Sequence, residues 1–150
     1  MSEHVGKAPR SGLWVGAMVL RLVVVAGLAV DVYVHLHLAA GYDANTAAIS
    51  EGALFRVEAG VAALAALLVL LTRTQIGVLV AFLVAAGGAG AVLLYQYVDV
   101  GAVGPLPNMY EPPRYPEKTY SLIGEAVAAL AAFVLLSPHR ARRTQHRGRV

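Results

Sequence analysis

The sequence contains no cysteine. That excludes disulfide frameworks, thiolate metal sites, cysteine nucleophiles and CxxC redox chemistry together. Charge is scarce as well. Only 14% of the 150 residues are charged, against 58% hydrophobic, where a soluble domain carries roughly a quarter charged. Such a chain cannot cover an ordinary water-facing surface. It also has no phosphate loop, GxSxG, HExxH or dinucleotide fingerprint. No catalytic residue and no cofactor are announced, and the expectation leans away from an enzyme. Lys, Ile and Asn are few beside Ala, Val, Gly, Leu and Arg, the bias of a GC-rich bacterial genome.

What the chain does have is long apolar runs. A membrane-spanning helix needs roughly 20 mostly apolar residues. Four segments meet this or nearly so, at about 13–40, 52–71, 76–98 and 120–136. The expected fold is all-α: a polytopic membrane four-helix bundle filling 13–136, between an N-terminal tail (1–12) and a basic tail (137–150). Lys7 and Arg10 before the first run could introduce a signal peptide cleaved after Leu38-Ala39-Ala40. The run is too long for an h-region and Arg21 interrupts it, so it is expected to stay as a span.

Loop charges set the direction. Lys7 and Arg10 precede span one, Arg73 sits in the tight turn Thr72-Arg73-Thr74-Gln75, and Arg140, Arg142, Arg143, Arg147 and Arg149 follow span four. With four spans all three sites share one side, which the positive-inside rule makes cytoplasmic. Both termini are therefore expected in the cytoplasm of a bacterium bounded by its plasma (inner) membrane. The net charge of +3 comes from the tail, and suits topology or anionic lipid and not nucleic acid.

The second outer loop carries prolines at 105, 107, 112, 113 and 116, which favour turn or polyproline-like backbone. It reads as a stiff cap over the helix ends, or as a lid over a site beneath.

Spans two and four echo each other. Glu58-Ala59-Gly60-Val61-Ala62-Ala63-Leu64-Ala65-Ala66 resembles Glu125-Ala126-Val127-Ala128-Ala129-Leu130-Ala131-Ala132. Fainter is Val30-Asp31-Val32 against Val98-Asp99-Val100. Together they suggest two parallel helical-hairpin repeats. Small residues let helices approach closely in lipid, and Gly87-Gly88-Ala89-Gly90-Ala91 reads as a close crossing, a kink or a dimer face, with close packing inside the bundle as the default.

Ionisable residues inside spans are costly and mark function by default. Asp31 and His35 share a face of span one. Arg56 and Glu58 lie near the outer start of span two and Glu125 near that of span four, so all can occupy one layer of the bundle. Three readings stay open for this cluster. It is a charge-neutralised network in which Arg56 takes one carboxylate and His35 another. It is a metal site drawn from Asp31, His35, Glu58 and Glu125. Or it is a proton or solute path. A bis-histidine haem does not fit, because His35 and His37 share one span. Arg21, without an acidic partner in reach, is expected to snorkel to the headgroups.

Leu20-Arg21-Leu22, Glu58-Ala59-Gly60 and the four-span layout resemble the DoxX-like group of small bacterial membrane proteins. The resemblance covers most of 13–136 loosely and implies a link to respiratory and redox complexes. The Pro-rich loop and the polar stretch 31–37 depart from it. A separate actinobacterial-type membrane family is the other reading. The role expected from size and Gly/Ala-rich faces is an accessory or assembly subunit of a membrane complex, with the lipid bilayer, a membrane-protein partner or a second copy as partner. The alternative is binding or transport of a small ligand, metal or proton through the polar cluster.

Overall fold

The computed structural model describes residues 10–137, and within them forms four helices and no strand. Lys7, the five tail arginines and most of both expected tails lie outside the described residues. α1 spans Arg10–Ala39, α2 Glu51–Thr72, α3 Gln75–Tyr97 and α4 Pro116–Leu136. All four are long and apolar enough to cross a membrane, so the chain is a multi-pass membrane protein built as an all-α four-helix bundle. At about 1.5 Å per residue α1 is roughly 45 Å long, more than the ~30 Å hydrocarbon core requires.

Local chemistry sets the helix ends. Ser50 and Thr74 cap α2 and α3, their hydroxyls accepting the backbone N–H of Ala53 (3.1 Å) and Gly77 (3.2 Å). Arg73 closes α2 in the left-handed region at φ 48°, and so the α2–α3 connection needs only two residues. α4 begins four residues before its expected start. Pro116 opens it at a position where the missing N–H costs nothing and the fixed φ suits a helix.

The bundle is apolar on the outside and small on the inside. Leu64, Leu71, Leu83, Leu130 and Phe133 point outward, while Ala62, Ala65, Ala81, Ala85, Ala128 and Ala132 are buried at the centre. That is the reverse of a soluble bundle and suits association by close packing in lipid. α1 packs mainly on α4 and α2, and α3 on α4; the α2–α3 contact is the thinnest. The bundle has a turn end, carrying Arg73, and a loop end, carrying the α1–α2 and α3–α4 connections.

The glycine-rich run of α3 does not form a close backbone crossing. Gly87 and Gly90 face open space. The tight approach is between α1 and α4, where Gly27 and Gly124 meet backbone to backbone: a Cβ on Gly124 would lie 2.8 Å from the Gly27 carbonyl oxygen and 3.2 Å from Val30 Cβ. Arg21 also differs from expectation. Its guanidinium donates to the Val69 carbonyl at 2.9 Å, one of the last four carbonyls of α2, which have no partner within the helix. The fainter repeat ends differently in its two copies, since Asp31 is buried within α1 while Asp99 is exposed beyond the end of α3.

Candidate functional site

Asp31, Glu58 and Glu125 lie roughly 12, 10 and 14 Å below the loop ends of their helices, by the helical rise of about 1.5 Å per residue. This common depth places them in one layer. Asp31 and His35, one turn apart on α1, are in contact, with His35 Nδ1 and Asp31 Oδ1 2.7 Å apart. His35 Nδ1 is also 3.1 Å from the Asp31 carbonyl oxygen, and the imidazole meets the edge of the Phe55 ring. From α4, Ser121 Oγ donates to Asp31 Oδ1 at 2.9 Å. Glu125 lies one turn further along the same face of α4 and is 0% exposed. Asp31, His35 and Glu125 each offer a ligand atom, and these atoms all lie within 4.8 Å of one another.

The polar bookkeeping does not close. Asp31 Oδ2 and both carboxylate oxygens of Glu125 are buried without a hydrogen-bond partner. Each is a costly orphan, since a buried polar group without a partner loses its water and gains nothing. α3 makes space for the Glu125 carboxylate. A Cβ on Gly88 would overlap Glu125 Oε1 and lie 3.5 Å from Glu58 Oε1, so both glutamates face the same bare stretch of α3 backbone.

Arg56 is not among them. It lies on the exposed side of α2 and holds Asp43 in a bidentate pair at 2.7 and 2.8 Å. That pair keeps the Asp43 carboxyl below its ordinary range, through the Arg56 hydrogen bonds first. The expected neutralisation of the cluster by Arg56 is therefore replaced by a surface pair, and the buried carboxylates keep their free oxygens.

Above the cluster lies a chamber of about 360 Å³, within the range of small-ligand sites. Its floor holds His35, Glu58, Gly88 and Ser121, its walls include Phe55 and Tyr95, and Leu106, Met109 and Tyr115 roof it. The roof is the Pro-rich connection, fastened at Glu111. The Glu111 carboxylate accepts hydrogen bonds from Tyr42 and, at 2.9 Å, from Tyr115. Lys118 donates to the Glu111 carbonyl, and the Glu111 N–H donates to the Tyr95 carbonyl at 2.9 Å. One residue thus ties the ends of α1, α3 and α4. The α1–α2 connection joins in, with Asn45 Nδ2 donating to the Asn108 carbonyl at 2.9 Å. Burial first, then the Tyr42 and Glu111 hydrogen bonds, push the Tyr115 phenol up from its ordinary value. A raised phenol supports the latch fully below its unfolded pKa of about 10 and loses that support only as pH rises through the folded value. The latch is therefore insensitive to pH across the neutral range.

Replacing Glu111 with Ala is expected to raise hydrogen exchange in residues 99–115 more than tenfold, because it removes carboxylate hydrogen bonds of about 1.5–3 kcal/mol each. Protection in the four helices should stay as it is. Loss of protection spread evenly over the bundle would make Glu111 a determinant of the whole fold, not a latch.

Sequence reasoning missed Ser121, Gly88 and the Glu111 latch. Ser121 was detectable as the residue four positions before Glu125, on the same face of a helix. No family model, no curated protein and no solved structure matches the chain.

Proposed function

We propose that this is a plasma-membrane binding protein that receives a small cation in the loop-end chamber. The observation that carries the reading is the set of three buried carboxylate oxygens without partners, Asp31 Oδ2 and both of Glu125, beside the chamber floor. The nearby cationic side chains are committed elsewhere, Lys118 to Glu111 and Arg56 to Asp43. A cation entering the chamber meets Glu58 and His35 first and finds aromatic walls able to face a positive charge. The loop end faces the outside of the cell in this proposal, because Arg73 and the basic segments belong to the other side under the positive-inside rule.

The test is titration of the purified protein in lipid nanodiscs with Zn²⁺ and, separately, with tetramethylammonium. Saturable binding of Zn²⁺ lost in Glu125→Gln, or of tetramethylammonium lost in Glu58→Gln, with either retained in Arg56→Ala, supports the chamber as a cation site. Absence of binding for both contradicts it. The accessory-subunit role and the DoxX-like resemblance are separate proposals, carried by small size and by the short motifs of α1 and α2.

A further inference from the structure

The geometry points to a divalent transition-metal site formed by Asp31, His35 and Glu125. This names the ligand class of the proposed cation site and rests on that reading.

Size excludes most other occupants. Three atoms all within 4.8 Å of one another leave a point no more than about 2.8 Å from each, close to the 2.0–2.2 Å of zinc–oxygen and zinc–nitrogen bonds and reached by a small inward shift of side chains. A bare ion fits that space. A substituted ammonium group does not, and would stop in the chamber above. A proton shared between Glu125 and Asp31 would satisfy one oxygen of each and leave the third without a partner. One metal ion held by Asp31 Oδ2 and by Glu125 through both of its oxygens would satisfy all three.

The donor set selects the metal class. Two carboxylates and an imidazole, with no thiolate in the chain, suit Zn²⁺ or Mn²⁺ and disfavour soft ions such as Cu⁺. Three protein ligands leave a coordination position free, and the chamber supplies the space for it, since His35 and Ser121 belong to its floor. The supports for the ligands are already built. Ser121 holds Asp31 Oδ1 at 2.9 Å and leaves Oδ2 free. Gly27 and Gly124 bring α1 and α4 together, one turn from Asp31 and next to Glu125. Gly88 clears the volume that the Glu125 carboxylate occupies, and Glu58 faces the same gap as a further negative charge. Such outer supports orient ligands and tune affinity.

The full chain is purified in nanodiscs without chelator, and bound metal is measured by elemental analysis and by equilibrium dialysis against ZnCl₂ and MnCl₂. One metal ion per chain is expected, with affinity falling at least tenfold in Glu125→Gln and in His35→Ala and unchanged in Arg56→Ala. Gly88→Ala removes no ligand but displaces the Glu125 carboxylate, so it should weaken binding as well. Thermal unfolding of each variant confirms that it is folded. Absence of stoichiometric metal, or wild-type affinity in folded Glu125→Gln, overturns the proposal. Tetramethylammonium binding without metal binding overturns it while leaving the cation chamber in place, and failure of both ligands removes the two together.

Discussion

Replacing Glu125 with Met is expected to stabilise the protein and to abolish cation binding. Glu125 is fully buried, and neither carboxylate oxygen has a partner. Burial of an ionisable group without compensation is among the largest penalties a fold carries. Exchanging buried ionic groups for well-packed apolar ones of similar volume is commonly neutral or stabilising by about 1–4 kcal/mol. Met matches Glu in length, and its flexible thioether adapts to irregular space. The bundle below it is apolar, with Ala128 about one turn away on α4. A residue that lowers stability where it stands, and whose removal costs binding, is the signature of a site kept for function. The check is chemical unfolding in detergent beside the metal titration. Marked destabilisation by Met would mean that Glu125 holds the bundle together through a satisfied network, and the site reading would fall.

The second large effect is expected at a position that carries no ligand. Gly27→Val places a side chain where the Gly124 carbonyl stands, with Ala128 Cβ 3.0 Å from the added Cβ. The neighbours are backbone and a helix-borne methyl group, which cannot rotate away. Overpacking of this kind costs about 1–3 kcal/mol. It also forces α1 from α4, separating Asp31 and His35 from Ser121 and Glu125. Stability and cation affinity should therefore fall together, although no liganding group is altered. Gly87→Ala and Gly90→Ala are the controls, since a Cβ at either meets nothing within 4 Å. Unaltered affinity in a destabilised Gly27→Val would show that the site tolerates a looser crossing.

The contrast between these glycines shows where sequence stops being informative. Gly87 to Ala91 is the densest cluster of small residues, and density suggested a crossing. A crossing needs the right face, not the right composition. Isolated Gly27 and Gly124 point at each other, and their pairing is a tertiary fact. The four spans were legible because each is a long uninterrupted apolar run. The start of α4 was obscured by Pro116, which reads as loop although it also opens helices.

The site was partly legible for the same reason. Depth follows from counting residues at a fixed rise, and depth alone placed Asp31, His35, Glu58 and Glu125 in one layer. Direction was also available for Arg56: two residues before Glu58, it turns to nearly the opposite side of α2, where it finds Asp43. Other partners leave no sequence trace. Arg21 donates to a backbone carbonyl, and backbone carbonyls carry no residue type. Glu111 in the long connection counted only as an outer charge, because what it fastens comes from three separate helix ends.

The most direct measurement is the infrared difference spectrum of the protein in nanodiscs before and after addition of Zn²⁺, in the wild type and in Glu125→Gln. A cation held by the free oxygens of Asp31 and Glu125 requires carboxylate bands that shift in the wild type, with the Glu125 part of the shift absent from the variant. A wild-type spectrum whose carboxylate bands do not move when the cation is added would contradict a cation site at these residues.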